Sequence, residues 1–335
     1  MHYKIVGGEV MIIGDLHFSD VFTGKHKAYL EECCWVLGCI SKKIEERTPS
    51  AIVLLGDIIG WVETNIRDRE VLSFFAKELR FWGKICPVFA VRGNHDGRGY
   101  PDFNLFTELG LIIPCEVCGG YFDYYGEEGS EVPEVRFHLV DYNREDRALN
   151  YAMGGASNIV LGHNNYKIAG VTTWYKEHDG IELGLMQNFG DVDMVISGHI
   201  HNPSPEIYAT QMVSGRSCML FYPGCPTRPI KDKNMYESCW YVFLGYNEQT
   251  RSTDIKTEVF DLQPLDEIFY EDELFLDDRT DEEKLRREQL TDILDDLLKY
   301  RMNNGDAFDQ IDKIPSASEE AKEVAKRYLQ LAYNG

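Results

Sequence analysis

Short apolar runs rich in β-branched residues punctuate the amino-terminal part of the chain, and each breaks off at a glycine: Val10 to Gly14, Ala51 to Gly56, Val88 to Gly93, Asn158 to Gly162 and Asp193 to Gly198. A continuous apolar run bounded by a turn signal reads as a buried strand feeding a loop. Between the runs the period changes. Tyr29, Leu30, Cys33, Cys34, Leu37 and Ile40 recur at helical spacing, as do Ile66, Val71, Phe74, Phe75 and Leu79 behind a Thr64/Asn65 start signal. Strands alternating with helices predict an α/β layered core whose loops gather at one edge of a sheet.

Beyond the last of these turns, strand-like runs at Met219 to Tyr222, Cys239 to Leu244 and Ile255 to Phe260 are expected to complete a second sheet of the same domain, which closes near residue 265. Residues 266–279 read as an acidic linker. From Thr280 the pattern is helical: Thr280 and Glu283 form a capping box, Leu290, Ile293, Leu294 and Leu297 an apolar stripe, and Asn303-Asn304-Gly305 a stop. A second helix follows Pro315, with Val324, Ala325, Tyr328 and Leu329 on one face. The stripes of this 280–335 extension either pack on the core or dock a partner's helix, since periodicity does not say what an apolar face touches.

Composition narrows the class. The 335 residues, 44% hydrophobic and 27% charged, suit one large globular domain with an appendage. No stretch approaches a membrane span, and the start Met-His-Tyr-Lys-Ile-Val lacks a signal-peptide pattern, so a soluble, cytoplasmic protein is expected. Nine cysteines at irregular spacing read as reduced thiols, and Cys115 and Cys118 lack the second ligand pair of a structural zinc site. A net charge of −22 opposes unaided nucleic-acid binding, although acid concentrated between Asp261 and Asp296 places part of the excess on the tail.

The chemistry lies in the strand-end turns: Gly14-Asp15-Leu16-His17, Gly56-Asp57, Gly93-Asn94-His95-Asp96, Gly162-His163 and Gly198-His199-Ile200-His201. Any one alone is an ordinary turn. Together they hold five of the nine histidines, and carboxylate, imidazole and one amide oxygen make a mixed donor set for divalent transition metals. Two such ions about 3.5–4 Å apart clamp the attacking and leaving oxygens of a displacement at phosphorus and acidify a water. No Gly-x-Ser-x-Gly elbow and no Gly-x-x-x-x-Gly-Lys-Ser/Thr loop offers another route.

The set GDLH, GD, GNHD, GH and GHIH resembles the calcineurin-like metallophosphoesterase superfamily. That resemblance implies an α/β fold, a layered β-sandwich flanked by helices, here with a C-terminal helical extension. It implies that one ion takes Asp15, His17 and His201, that the other takes Asn94, His163 and His199, and that Asp57 bridges them. His95 would serve as general acid for the leaving oxygen or as transition-state stabiliser. Asp96 would either orient His95 or only cap the following turn.

Tyr222-Pro223-Gly224-Cys225-Pro226 followed by Cys239 to Phe243 resembles the YPGSP turn and closing strand of SbcD-type nucleases, particularly phage-encoded recombination exonuclease subunits. Such relatives are dimeric Mn²⁺-dependent exo- and endonucleases whose C-terminal helices bind an SMC-like ATPase. The resemblance implies two divalent ions, Mn²⁺ first with Fe, Zn or Mg as alternatives, and as partners DNA, the ATPase and a second copy of the chain. A phage origin would place the protein in the host cytoplasm. Two departures stand out: Gly60 occupies a position where cellular members commonly carry a histidine, and Cys225, read as a tolerated small residue, replaces the usual serine. Arg92, Arg98 and Arg228, with Lys231 and Lys233, are the cations best placed in sequence to meet phosphates. The rival expectations are a phosphoesterase for a nucleotide, cyclic nucleotide or phosphoprotein, which the acidity favours, and an idle subunit that recruits the ATPase.

Overall fold

A computed structural model describes residues 2–19, 29–60, 69–96, 101–144, 156–168, 180–204, 206–227, 238–247 and 252–261. The acidic linker, the C-terminal extension, Thr64, Asn65, Ile66, Arg98, Arg228, Lys231 and Lys233 lie outside these residues. The amino-terminal half runs β1 (Tyr3–Val6), β2 (Glu9–Ile13), α1 (Tyr29–Arg47), β3 (Ala51–Leu54), α2 (Arg69–Ile85), β4 (Val88–Ala90), α3 (Pro101–Glu108), β5 (Ile113–Pro114) and α4 (Cys115–Cys118). Then come β6 (Tyr121–Tyr125), β7 (Val135–Val140), β8 (Ser157–Gly162), β9 (Tyr166–Lys167), β10 (Ile181–Glu182), β11 (Met194–Ser197), β12 (Tyr208–Gln211), β13 (Ser217–Phe221), β14 (Ser238–Asn247) and β15 (Ser252–Asp261).

Two sheets carry the domain. One has seven strands in the order β1-β6-β7-β8-β11-β13-β12, the other six in the order β15-β14-β2-β3-β4-β5. Alternate side chains explain why they face each other. Val10, Ile12, Ala51, Val53 and Phe89 of the six-stranded sheet meet Phe122, Phe137, Ile159, Leu161, Met194 and Ile196 of the seven-stranded one in a single buried cluster. Each of the Val, Ile, Leu, Met and Phe side chains contributes about 1.5–3 kcal/mol when fully buried. On the opposite face, Met11, Ile13, Ile52 and Leu54 pack against Cys33, Leu37, Ile40 and Ile44 of α1 and Phe75, Leu79 and Trp82 of α2. The outer face of the seven-stranded sheet is covered by Tyr166, Leu183 and Phe189 over Val160, Val195 and Leu220. The result is the expected α/β layered β-sandwich flanked by helices.

The expected sheet assignment needs two corrections. Of the three late runs only β13 joins the seven-stranded sheet, parallel to β11; β14 lies antiparallel to β2 and, with β15, extends the other sheet. The five motif-bearing strands are likewise divided, β2, β3 and β4 in one sheet and β8 and β11 in the other. The functional loops therefore gather where the carboxyl ends of two facing sheets meet, rather than along one sheet's edge.

Candidate metal centre

The five turns converge at that common end, and three of them hold a ligand-type residue in a sparsely populated backbone conformation. His17, Asp57 and His199 have φ of 44°, 45° and 79°. Left-handed backbone at non-glycine residues costs of order 1–3 kcal/mol each and persists only where neighbours enforce it. Here the N–H of His17 donates to Asp57 O (2.8 Å) and that of His199 to Asp15 Oδ1 (2.8 Å). Gly93 is required by close approach, because a Cβ there would fall 2.0 Å from Asp57 Oδ1.

The side chains form two overlapping groups. Donor atoms of Asp15, His17, Asp57 and His201 lie within 4.8 Å of one another, as do those of Asp57, His163 and His199. Asn94 joins the second group, its Oδ1 3.0 Å from both His163 Nε2 and His199 Nδ1. Asp57 belongs to both: its Oδ2 lies 3.1 Å from His163 Nε2 and 3.7 Å from His17 Nε2.

The donor chemistry fits a cation in each group. Asp15 Oδ2 is buried with no hydrogen-bond partner. His17 Nε2 and His201 Nε2 face each other at 3.0 Å, a contact that can share at most one hydrogen. Burial pushes His17 down to about 4 and His201 well below its ordinary value, so both rings are neutral at pH 7. His17 Nδ1 donates to Gly60 O (2.9 Å), which leaves a lone pair on Nε2, and His163 Nδ1 likewise faces Leu55 O (2.6 Å). Backbone acceptors behind ligand imidazoles fix tautomer and orientation in this way. Gly60 thus contributes its carbonyl.

Burial also pushes His199 down to about 4 and Asp15 up to about 7. His163 is the exception: burial works against its charge, but Asp57 and Asp15 outweigh it and hold the imidazole up at about 9. Burial opposes the charge of Asp57 as well, yet His163, His17 and His95 keep its carboxyl far below the usual range. A divalent ion between the same carboxylates would take over the role of the His163 proton.

His95 stands at the rim. Its side chain is 19% exposed, its Nε2 is 3.9 Å from Asp57 Oδ2, and its backbone N–H donates to Asp57 Oδ1 (2.8 Å). Asp96 is placed differently from either expectation. Its buried carboxylate accepts the N–H groups of Ile58 (3.2 Å), Ile59 (3.4 Å) and Gly93 (3.1 Å), tying the Asp57 loop to the Asn94 loop. Burial, then repulsion from Asp57, pushes it up to about 7. The Arg92 guanidinium points to the α3 and α4 side, bound to Glu116 (2.9 Å) and Asn104 (3.0 Å) and stacked on Phe103.

Several contributors escape sequence reasoning. The Cys225 thiol donates to Asp15 O (2.9 Å) and the Thr227 hydroxyl to Leu16 O (2.8 Å), so the YPGCP turn locks the first ligand loop, and Cys225 is more than a tolerated small residue. Tyr142, after β7, brings its ring 5.5 Å from that of His199. The signal for Tyr142 was a strand-like run ending in polar residues, but without the glycine. Cys115 and Cys118 serve the fold, their thiols donating to Leu139 O (3.1 Å) and Cys115 O (3.4 Å). Among the described residues no helix is long and apolar enough to cross a membrane.

The family model for calcineurin-like phosphoesterases matches residues 8–203, a span that includes every ligand-type side chain described above together with His95 and Asp96. That family binds divalent metals, and the two overlapping donor groups are a candidate binuclear site. On the match and the donor chemistry together, the chain belongs to the calcineurin-like phosphoesterase family, whose members are metal-dependent hydrolases.

Proposed function

We propose that the chain is a Mn²⁺-dependent DNA exo- and endonuclease subunit that hydrolyses phosphodiester bonds and works with an SMC-like ATPase. The observation that carries the phosphodiesterase part is Asp57, whose carboxylate is shared by two groups of ligand-type side chains facing one rim. Asp15, His17, Asp57 and His201 would hold one ion, and Asp57, Asn94, His163 and His199 the other. Bound ions would supply positive charge to the phosphoryl oxygens and a nucleophile from water at neutral pH. Hydrolysis joins a water oxygen to phosphorus, breaks the ester P–O bond and requires a proton at the leaving oxygen. His95 is the ring at the rim able to deliver it, and the Asp96 carboxylate keeps the loop that carries it in register.

The restriction to DNA rests on the YPGCP turn, which resembles that of SbcD-type nucleases and here buttresses the ligand loop. The apolar stripes at Leu290, Ile293, Leu294 and Leu297 suit docking of a coiled coil. The partner would also supply the cationic surface that a chain of net charge −22 lacks.

End-labelled linear DNA incubated with Mn²⁺, with and without the ATPase, tests the proposal. Shortened products that vanish in Asp57→Ala support it, and intact DNA in both conditions contradicts it. The acidity favours one rival, a phosphoesterase for a nucleotide, cyclic nucleotide or phosphoprotein. Turnover of such substrates with DNA untouched would establish it.

A further inference from the structure

We propose that Tyr142 is a positioning residue of the metal centre, holding the His199 ring and through it the Asn94–His163–His199 half of the donor set; this rests on the two-ion reading above. Tyr142 lies on none of the five glycine-marked turns. It belongs to Asp141-Tyr142-Asn143, directly after β7, and three hydrogen bonds secure that turn. The Arg92 N–H donates to Asp141 Oδ1 (2.8 Å), the Tyr142 N–H to Arg92 O (2.8 Å), and the Asn143 N–H to Asn164 Oδ1 (3.1 Å). Arg92 immediately precedes Gly93-Asn94, and Asn164 immediately follows His163. The turn is therefore anchored to the two loops that present Asn94 and His163. Asn143 takes φ 55°, a left-handed value that asparagine tolerates better than most residues.

What this anchoring fixes is an aromatic ring. Tyr142 lies 5.5 Å from the His199 ring at 39° and 6.2 Å from the His163 ring at 71°. Both contacts fall in the range of ordinary aromatic pairs. Ring packing restricts rotation of the imidazole, which keeps His199 Nδ1 directed at Asn94 Oδ1, 3.0 Å away. The restriction matters more in this half of the centre. The Asp15 group has two carboxylates, whereas Asp57 is the one carboxylate among the donors of the His163 and His199 group. Where charge holds an ion less strongly, donor geometry decides more of the affinity. Contact is through the ring, so phenylalanine should serve as well as tyrosine.

A different use of the same ring, as a platform on which a nucleic-acid base stacks, would act on KM and leave metal binding alone. The test is Mn²⁺ titration by calorimetry and ion counting after desalting, on the full chain and its Tyr142→Phe, Tyr142→Ala and Tyr142→Leu variants. Wild type and Tyr142→Phe should hold two ions. Tyr142→Ala should bind the second about tenfold or more weakly, as when outer-shell partners of other metal ligands are removed, and retain one after desalting. Should Tyr142→Ala fail to fold, Tyr142→Leu is expected to lose the second ion while keeping a cooperative thermal transition. Two ions held at wild-type affinity by the folded variants overturn the proposal, and a raised KM for oligonucleotides alongside them would assign the ring to substrate instead. A single ion in wild type as well as in the variants would overturn the two-ion reading with it.

Discussion

At the scale of single residues, the centre couples metal to protons. His163 is held up at about 9 by Asp57 and Asp15, and burial raises Asp15 to about 7. Both must lose their protons to act as ligands. At about pH 8, where His163 is protonated and Asp15 is not, Mn²⁺ binding should release roughly one proton. Nearer pH 6 Asp15 adds a second, so apparent affinity should fall as pH falls. Calorimetry in buffers of different ionisation enthalpy reads the proton count directly, and no release across this range would contradict the pairing. Sterics give a second prediction. Gly93→Ala would drive a Cβ to 2.0 Å from Asp57 Oδ1, so the carboxylate or the loop must shift. The expected cost is roughly 1–3 kcal/mol of stability in denaturant melts, together with at least a tenfold loss of Mn²⁺ affinity.

Among elements, the ligand loops depend on pieces far away in sequence. Thr227→Val removes the hydroxyl that donates to Leu16 O, and about 1 kcal/mol of stability should go with it. Cys225→Ser keeps a small donor beside Asp15 O and should retain Mn²⁺ binding, whereas Cys225→Val should weaken it, as metal titration can show. The strands ending in glycine and ligand were legible because a buried parallel strand is a continuous apolar run. β6 was not, because Asp123 interrupts it. That charge is tolerated through its cross-strand partner Arg136, whose Nε lies 2.7 Å from Asp123 Oδ1. A propensity reading sees the aspartate and not the arginine that pairs with it. The ligand-type side chains were all readable from the turns, but Tyr142, Cys225 and Thr227 matter through tertiary contacts, which no local pattern encodes. Asp96 lay in view within its motif, yet its three backbone donors became evident only once the Asp57 and Asn94 loops were seen side by side.

For the molecule as a whole, a centre built from two facing sheets should stiffen the fold when it is filled. Ions that bind the folded chain and not the unfolded one stabilise it by about 2.7 kcal/mol at a hundred times Kd. Mn²⁺ should therefore raise the thermal midpoint by several degrees and EDTA reverse the rise; an unchanged midpoint would mean that no ion enters the core of the fold. Which sheet each strand joins was not legible, since alternation marks a buried face and not the sheet to which it belongs. β14 and β15 show this: they complete the sheet of β2 although β13 completes the other. The most direct test is anomalous scattering at the manganese edge from crystals soaked in Mn²⁺. Two peaks are expected, one among Asp15, His17, Asp57 and His201, the other among Asp57, Asn94, His163 and His199. Peaks elsewhere, or none at this rim, would contradict the two-metal centre.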